Sequence, residues 1–221
     1  MTDPYLPAVN AVGAREALTR LREGNNRFVS NVRGADSYIS QRRRVELTSG
    51  QHPFAVVLGC SDSRVPAEIV FDQGLGDLFV IRVAGNVVAP SQIGSVEFAV
   101  DRFGTRLVVV LGHSQCGAIV ATLEELRRPS QNQSRNLRSI VDRVRPAVQE
   151  LAETPLRDDW DALVRHAVRA NIRSAVDHLR HGSQLIEQAT EEQGLLIVGA
   201  EYSLDTGVVE FFETPYGGLG E

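Results

Sequence analysis

A chain of 221 residues has room for one medium α/β domain, or one domain with an arm. Hydrophobic residues make up 43% and charged residues 23%, enough apolar material for a sizeable core. The net charge of -5, with every basic residue an Arg, argues against a nucleic-acid binder, and no stretch approaches the roughly 20 apolar residues of a membrane span.

In chain order, residues Ala14 to Phe28 carry Ala17, Leu18, Leu21 and Phe28 at helical spacing. A break over Asn31 to Asp36, a polar helix over Ser37 to Leu47 and the turn Ser49-Gly50 follow. This first segment holds too little apolar surface for a core of its own. Residues 1–50 are therefore expected to be a helical arm that packs on something else, and residues 51–221 the main α/β domain. Four apolar runs then predict strands: Phe54 to Leu58, Leu78 to Val83, Leu107 to Leu111 and Leu195 to Val198. Continuous β-branched runs separated by helical segments indicate buried parallel strands. The intervening helices are predicted over Ser91–Phe103, Cys116–Leu126, Ser134–Leu151 and Asp159–His181. Val208 to Phe212, after the turn Asp205-Thr206-Gly207, reads as an edge strand, and the tail from Glu213 as irregular. The expected fold is α/β: a mainly parallel central sheet with an antiparallel edge strand, flanked by helices.

The N-terminus MTDPYLPAVN lacks the charged-then-apolar pattern of a signal segment, so a cytoplasmic protein is expected. A disulfide is unexpected there, and the two cysteines, Cys60 and Cys116, point to core positions, a metal site or redox chemistry. Two strands end in Leu-Gly and then a metal-capable residue: Leu58-Gly59-Cys60 and Leu111-Gly112-His113. Parallel strands place their C-terminal ends on one edge of the sheet, where open α/β folds bind ligands. Cys60 and His113 are thus expected to meet, and Cys116 follows three residues later at a helix start. Two thiolates and one imidazole make a zinc set that leaves a fourth position open. The competing reading is two small buried core cysteines and a loop histidine. Asp62 and Arg64 follow Cys60 closely. They are either a solvated surface pair or a carboxylate able to reach the metal with a planar guanidinium able to hold it.

The string Cys60-Ser61-Asp62-Ser63-Arg64-Val65, followed by His113-Ser114-Gln115-Cys116-Gly117, resembles the paired signatures of β-class carbonic anhydrases. The similarity covers most of the chain and extends through Gly199 to Gly207. The resemblance implies one zinc ion per chain on Cys60, His113 and Cys116. It implies that Asp62 either occupies the fourth zinc position or leaves it to pair with Arg64. It also implies a substrate pocket at a subunit boundary that includes Gln51 and Phe79. Two pocket positions depart from plant-type members: Ala84 stands in place of Val and Phe98 in place of Tyr. The implied reaction is reversible hydration of carbon dioxide to bicarbonate and a proton. The implied assembly is a homodimer or a dimer of dimers in which N-terminal arms embrace the partner.

Two other functions stay open on the same ligands, a carbon disulfide or carbonyl sulfide hydrolase and a non-catalytic zinc protein. His52 is a candidate proton shuttle. Some bacterial members carry a Trp three residues before the first zinc cysteine, as part of an allosteric bicarbonate site. Val57 stands there in this chain, so regulation through that site is not expected.

Overall fold

A strand buried on both faces needs no polar side, and the apolar runs fold accordingly. The computed structural model describes residues 12–32, 41–129 and 134–212. Strands β1 (Ala55–Gly59), β2 (Leu78–Arg82), β3 (Leu107–His113), β4 (Leu196–Tyr202) and β5 (Val209–Phe212) form one sheet, in the order β2-β1-β3-β4-β5. The junctions among the first four of that order are parallel, and β4–β5 is antiparallel. Every residue of β1 and β3, the two strands that carry the Leu-Gly endings, is buried.

The two-residue repeat of the strands divides the core into two layers. Val56, Leu58, Val108, Val110 and Ile197 face helices α4 (Pro90–Phe103), α5 (Gly117–Arg127), α6 (Arg135–Glu153), α7 (Trp160–His181) and α8 (Gln184–Glu192). Ala55, Val57, Leu107, Val109 and Leu111 face the thinner opposite layer, built from α1 (Ala14–Val29) and α3 (Ala67–Val70). Helix α7 dominates the thicker layer. Its Leu163, Ile172 and Leu179 are fully buried, each contributing about 1.5–3 kcal/mol of transfer free energy against the entropy of ordering the chain. Asp159 caps α7 by accepting from the Ala162 N–H at 3.0 Å.

Three features go beyond what the sequence shows. First, the apolar stripe of α1 packs within the chain: Ala17, Leu18 and Leu21 are buried against its own sheet. Helix α2 (Gln41–Glu46) and the three-ten turn Leu47–Ser49 after it do lack any buried residue. Of the remaining early segment, 33–40 lies outside the described residues, as does the tail from Glu213. Second, β4 runs on through Gly199-Ala200-Glu201-Tyr202, beyond the apolar run, because β3 pairs it on one side and β5 on the other. Glu201 is tolerated there because Arg169 Nε donates to its carboxylate at 2.7 Å. Third, α3 and α8 carry too few apolar residues to be legible: α8 buries only Ile186 and Ala189.

Two residues of α1 fix its seat. Asn25, 3% exposed, donates from Nδ2 to the carbonyls of Val70 (3.1 Å) and Gly207 (2.9 Å), and its Oδ1 accepts from Val209 N–H at 2.8 Å. Beside it, a Cβ on Gly24 would lie 1.8 Å from the Phe71 carbonyl oxygen. Helix propensity alone makes Gly24→Ala stabilising by about 1 kcal/mol. Because the obstacle is backbone that cannot swing aside, the expected outcome is the reverse, a loss of about 1–3 kcal/mol. Urea unfolding of the two proteins side by side gives the sign.

Candidate metal centre

The register of the sheet brings the chemistry together. Gly59 pairs with Leu111 across β1 and β3, so Cys60 and His113 emerge at the same C-terminal edge. Past His113 the chain turns through Gln115, whose backbone is left-handed (φ 56°), and delivers Cys116 to the N-cap of α5. The turn is tied to its neighbours: Ser114 N–H donates to the Tyr202 carbonyl at 3.0 Å, and Ser114 Oγ accepts from Leu204 N–H at 3.0 Å. The Sγ atoms of Cys60 and Cys116 stand 4.0 Å apart and are not bonded. With a ring nitrogen of His113 they form a cluster whose ligand atoms all lie within 4.8 Å of one another.

His113 is fully buried, and its Nδ1 lies 2.9 Å from the Ser114 carbonyl oxygen. A carbonyl only accepts, so this contact puts the ring proton on Nδ1 and leaves a lone pair on Nε2. That Nε2 is buried with no hydrogen-bond partner among the described residues. A buried acceptor left unpaired is costly, and a cation bound between it and the two sulfurs removes the cost. Protons alone serve the sulfurs unequally. The Cys60 thiol is held down to about 4, first by the Cys116 side chain, against burial, and further by the Gly85 N–H. The same sulfur contact, joined by burial, pushes the Cys116 thiol up. A divalent cation allows both to be thiolates. The donor set therefore fits zinc, with three protein ligands and room for a fourth.

Asp62 does not fill that fourth place. Its carboxylate is turned to Arg64, which donates from Nε (2.9 Å), Nη2 (2.8 Å) and its backbone N–H (3.0 Å). Asp62 Oδ2 remains 3.8 Å from His113 Nε2, beyond a hydrogen bond. Arg64 holds the Asp62 carboxyl well below the usual carboxylate range, first through its side-chain hydrogen bonds, with burial opposing and its backbone N–H and charge adding. Arg82, at the end of β2, clamps the loop from behind: Nε donates to the Cys60 carbonyl (3.1 Å) and Nη2 to the Asp62 carbonyl (2.6 Å).

The residues expected around the substrate fall into three places. Ala84 is exposed in the three-ten turn Ala84–Asn86, next to Gly85, whose N–H lies 3.4 Å from Cys60 Sγ. Phe79 and Phe98 form an aromatic cluster with Phe103, centroids 6.3 Å apart for the first pair, and Phe98 is 44% exposed. Gln51 is exposed and lines a separate cavity of about 520 Å³ with Arg44, Leu47 and Leu75. His52 is exposed. Sequence reasoning missed Arg82 and the buried Asn171, which donates to the Gly85 carbonyl at 2.9 Å. The signal for Asn171 was present: a lone amide in the apolar stripe of Ala167, Val168, Ile172 and Ala175.

Residues 55–209 match the profile of the family described as carbonic anhydrase. The chain belongs to the β-carbonic anhydrase family. A carbonic anhydrase of Mycolicibacterium smegmatis is 40% identical over 220 residues, covering 98% of this chain and 100% of its own. Carbonic anhydrase 2 of Mycobacterium tuberculosis is 40% identical over 204 residues, covering 91% of this chain and 93% of its own. Among solved structures, the β-carbonic anhydrase CafA of Aspergillus fumigatus superposes with a TM-score of 0.69 at 27% identity, covering 78% of this chain and 81% of that one.

Proposed function

We propose that this member of the β-carbonic anhydrase family catalyses the reversible hydration of carbon dioxide to bicarbonate and a proton, using one zinc ion held by Cys60, His113 and Cys116. The observation that carries the reading is the buried trio of two sulfurs and an orphaned Nε2, with the nearest carboxylate drawn aside by Arg64. When bound, zinc supplies Lewis acidity and makes water acidic enough to ionise near neutral pH. The chain's own residues do the rest. Asp62, ionised and held by Arg64, keeps lone pairs free to accept a hydrogen bond from the attacking oxygen and so orient it. Arg82 fixes the carbonyls on either side of that carboxylate's loop. Phe79, Ala84 and Phe98 offer apolar walls for a small apolar substrate, and Gln51 joins them across a subunit boundary.

Stopped-flow hydration of carbon dioxide by metal-analysed protein tests the reading, with carbon disulfide and carbonyl sulfide run beside it. Hydration of carbon dioxide is expected. Turnover of the sulfur analogues alone transfers the site to a hydrolase, and stoichiometric zinc with no turnover of any of the three makes it a structural site.

The assembly proposed is a homodimer or a dimer of dimers. Exposed Val45 and Phe98, the coreless α2 and the Gln51 cavity are the surfaces that support it. Since α1 already has its own sheet to cover, α2 and the turn Leu47–Ser49 are the described parts of the arm left for a partner. Sedimentation at micromolar concentration is expected to show no stable monomer; an active monodisperse monomer removes the subunit-boundary pocket. A cytoplasmic setting suits the two free thiols, and no helix among the described residues is long and apolar enough to cross a membrane.

Val57 is fully buried in the core of the α1 layer. Inhibition by bicarbonate is accordingly expected to follow a simple hyperbola, and a sigmoidal curve with bicarbonate bound beside Val57 contradicts it.

A further inference from the structure

We propose that Asn171 is a positioning residue of the metal centre: by donating to the Gly85 carbonyl, its side-chain amide holds the Gly85 N–H on the Cys60 sulfur. The proposal rests on the metal-centre reading and adds to it a residue far away in sequence.

A polar amide in a packed helix face is unfavourable unless a partner satisfies it. Asn171 is 4% exposed, and its Nδ2 reaches the Gly85 carbonyl oxygen at 2.9 Å, 86 residues away. Gly85 has left-handed backbone (φ 67°, ψ 19°), and so has the next residue, Asn86 (φ 43°). Glycine adopts this conformation without steric cost, whereas Asn86, which has a Cβ, is held in it by its surroundings. A glycine there leaves both adjoining peptide planes free to rotate.

Three hydrogen bonds set those planes. Asn86 N–H donates to the Val83 carbonyl at 3.0 Å and closes the turn. Asn171 fixes the peptide that follows Gly85. The peptide that precedes Gly85 then presents its N–H to Cys60 Sγ at 3.4 Å. Without the amide, the Gly85 carbonyl is a buried acceptor with its donor gone, and the turn can relax by rotating at glycine, which takes the N–H off the sulfur. Substituting the glycine itself is less informative, since a Cβ there would stand 3.0 Å from Ala118 Cβ in a conformation that L side chains rarely adopt.

Helix α7 is well placed for such a task. The residue after Asn171, Ile172, lies where a Cβ on Gly112 would be, at 2.5 Å, so the same helix turn presses on β3 one residue before His113. Asn171 therefore acts from an element that is rigid and buried, as the support of a metal ligand requires. A hydrogen bond to a ligating sulfur draws charge from it and restricts its direction, which alters the metal–sulfur bond itself.

The test uses Asn171→Asp, which keeps the shape and loses the donor at neutral pH, and Asn171→Ala. Zinc affinity is measured against a chromophoric chelator, and the cobalt-substituted protein is read by its sulfur-to-cobalt charge-transfer absorption. Both variants are expected to bind zinc about 10–100-fold more weakly and to show a displaced charge-transfer band, a signature that a general loss of packing does not produce. Folded variants with the wild-type band and affinity overturn the proposal.

Should neither variant fold, the wild-type protein decides. With cadmium-113 bound, a scalar coupling between the Gly85 amide proton and the metal is expected, together with slow exchange of the Asn171 side-chain amide protons. Absence of the coupling overturns the proposal. If the wild-type chain takes up none of the three metals, the metal-centre reading fails first and this one with it; if it takes them up and the variants match it, only the role of Asn171 fails.

Discussion

Cys116→Ala is expected to lose its zinc under mild chelation while the protein stays folded, and to lose hydration activity with it. Cys116 is 1% exposed at the N-cap of α5, with its sulfur 4.0 Å from that of Cys60. Removing that sulfur leaves one thiolate and one imidazole, too few donors for a stable tetrahedral site. The loss of affinity is expected to exceed the roughly 10–100-fold that changes in outer-shell partners cost. Packing changes little, because the residue lost is small and a methyl group remains in its place; a cost of about 1 kcal/mol is the scale of such a truncation. The melting temperature separates the two effects. A ligand present at 100 times its dissociation constant stabilises the folded state by about 2.7 kcal/mol. Wild-type protein is therefore expected to melt higher with zinc than after chelation, and Cys116→Ala to melt at the same temperature in both. Full retention of zinc by the variant, measured as metal per chain, removes Cys116 from the ligand set.

What the sequence shows of this molecule follows from how far each signal has to reach. Strands β1 and β3 were legible because burial on both faces writes a continuous apolar run, and their endings were legible because Leu-Gly is followed each time by a metal-capable residue. The parallel register then brings Cys60 and His113 together with no further information. The length of β4 was not legible, since Glu201 belongs to the strand only once Arg169, 32 residues before it, supplies a charge. Nor was the partner of α1. An amphipathic stripe shows that a helix needs cover, not which surface gives it, and the close approach at Gly24 that seats it involves a backbone carbonyl. In the site, Asp62 and Arg64 are two residues apart and readable as a pair. Asn171 leaves a trace, a lone amide in an apolar stripe, but its target and those of Arg82 are backbone carbonyls, which leave no mark in a sequence. Gln51 carries no local signal at all: only family resemblance attaches it to the pocket, and within one chain it lines a different cavity.

Arg64→Ala is expected to keep its zinc, lose activity near neutral pH and shift its activity profile to higher pH. In the wild-type arrangement the Asp62 carboxylate takes two charged hydrogen bonds from the guanidinium and one from the Arg64 backbone. The substitution removes the first two and leaves the third. The freed carboxylate has a competing destination close by, because its Oδ2 already lies 3.8 Å from His113 Nε2, on the side where the two sulfurs converge. Occupying that place, Asp62 would complete a closed four-ligand set with bound zinc and exclude water. Exchanging the carboxylate for a water that ionises there would release one proton, so rising pH would favour the arrangement in which Asp62 is held away. Arg64 favours the same arrangement at any pH. Its loss must therefore be offset by a higher pH, which fixes the sign of the shift. Protonation of Asp62 itself does not account for the shift: Arg64 holds that carboxyl below the usual carboxylate range in the wild type, and an Asp with an ordinary pKa of about 3.9 is still ionised near neutral pH. Activity is expected to fall about 10–100-fold near neutrality, the scale for a partner that orients groups around a metal, and to recover in part as the solution is made alkaline. Arg64→Lys keeps the charge without the planar fork and is expected to fall between the two. Hydration rates across the pH range, with metal content measured on the same samples, decide the matter: an Arg64→Ala protein with wild-type rates and an unmoved profile leaves the Asp62–Arg64 pair no part in opening the site.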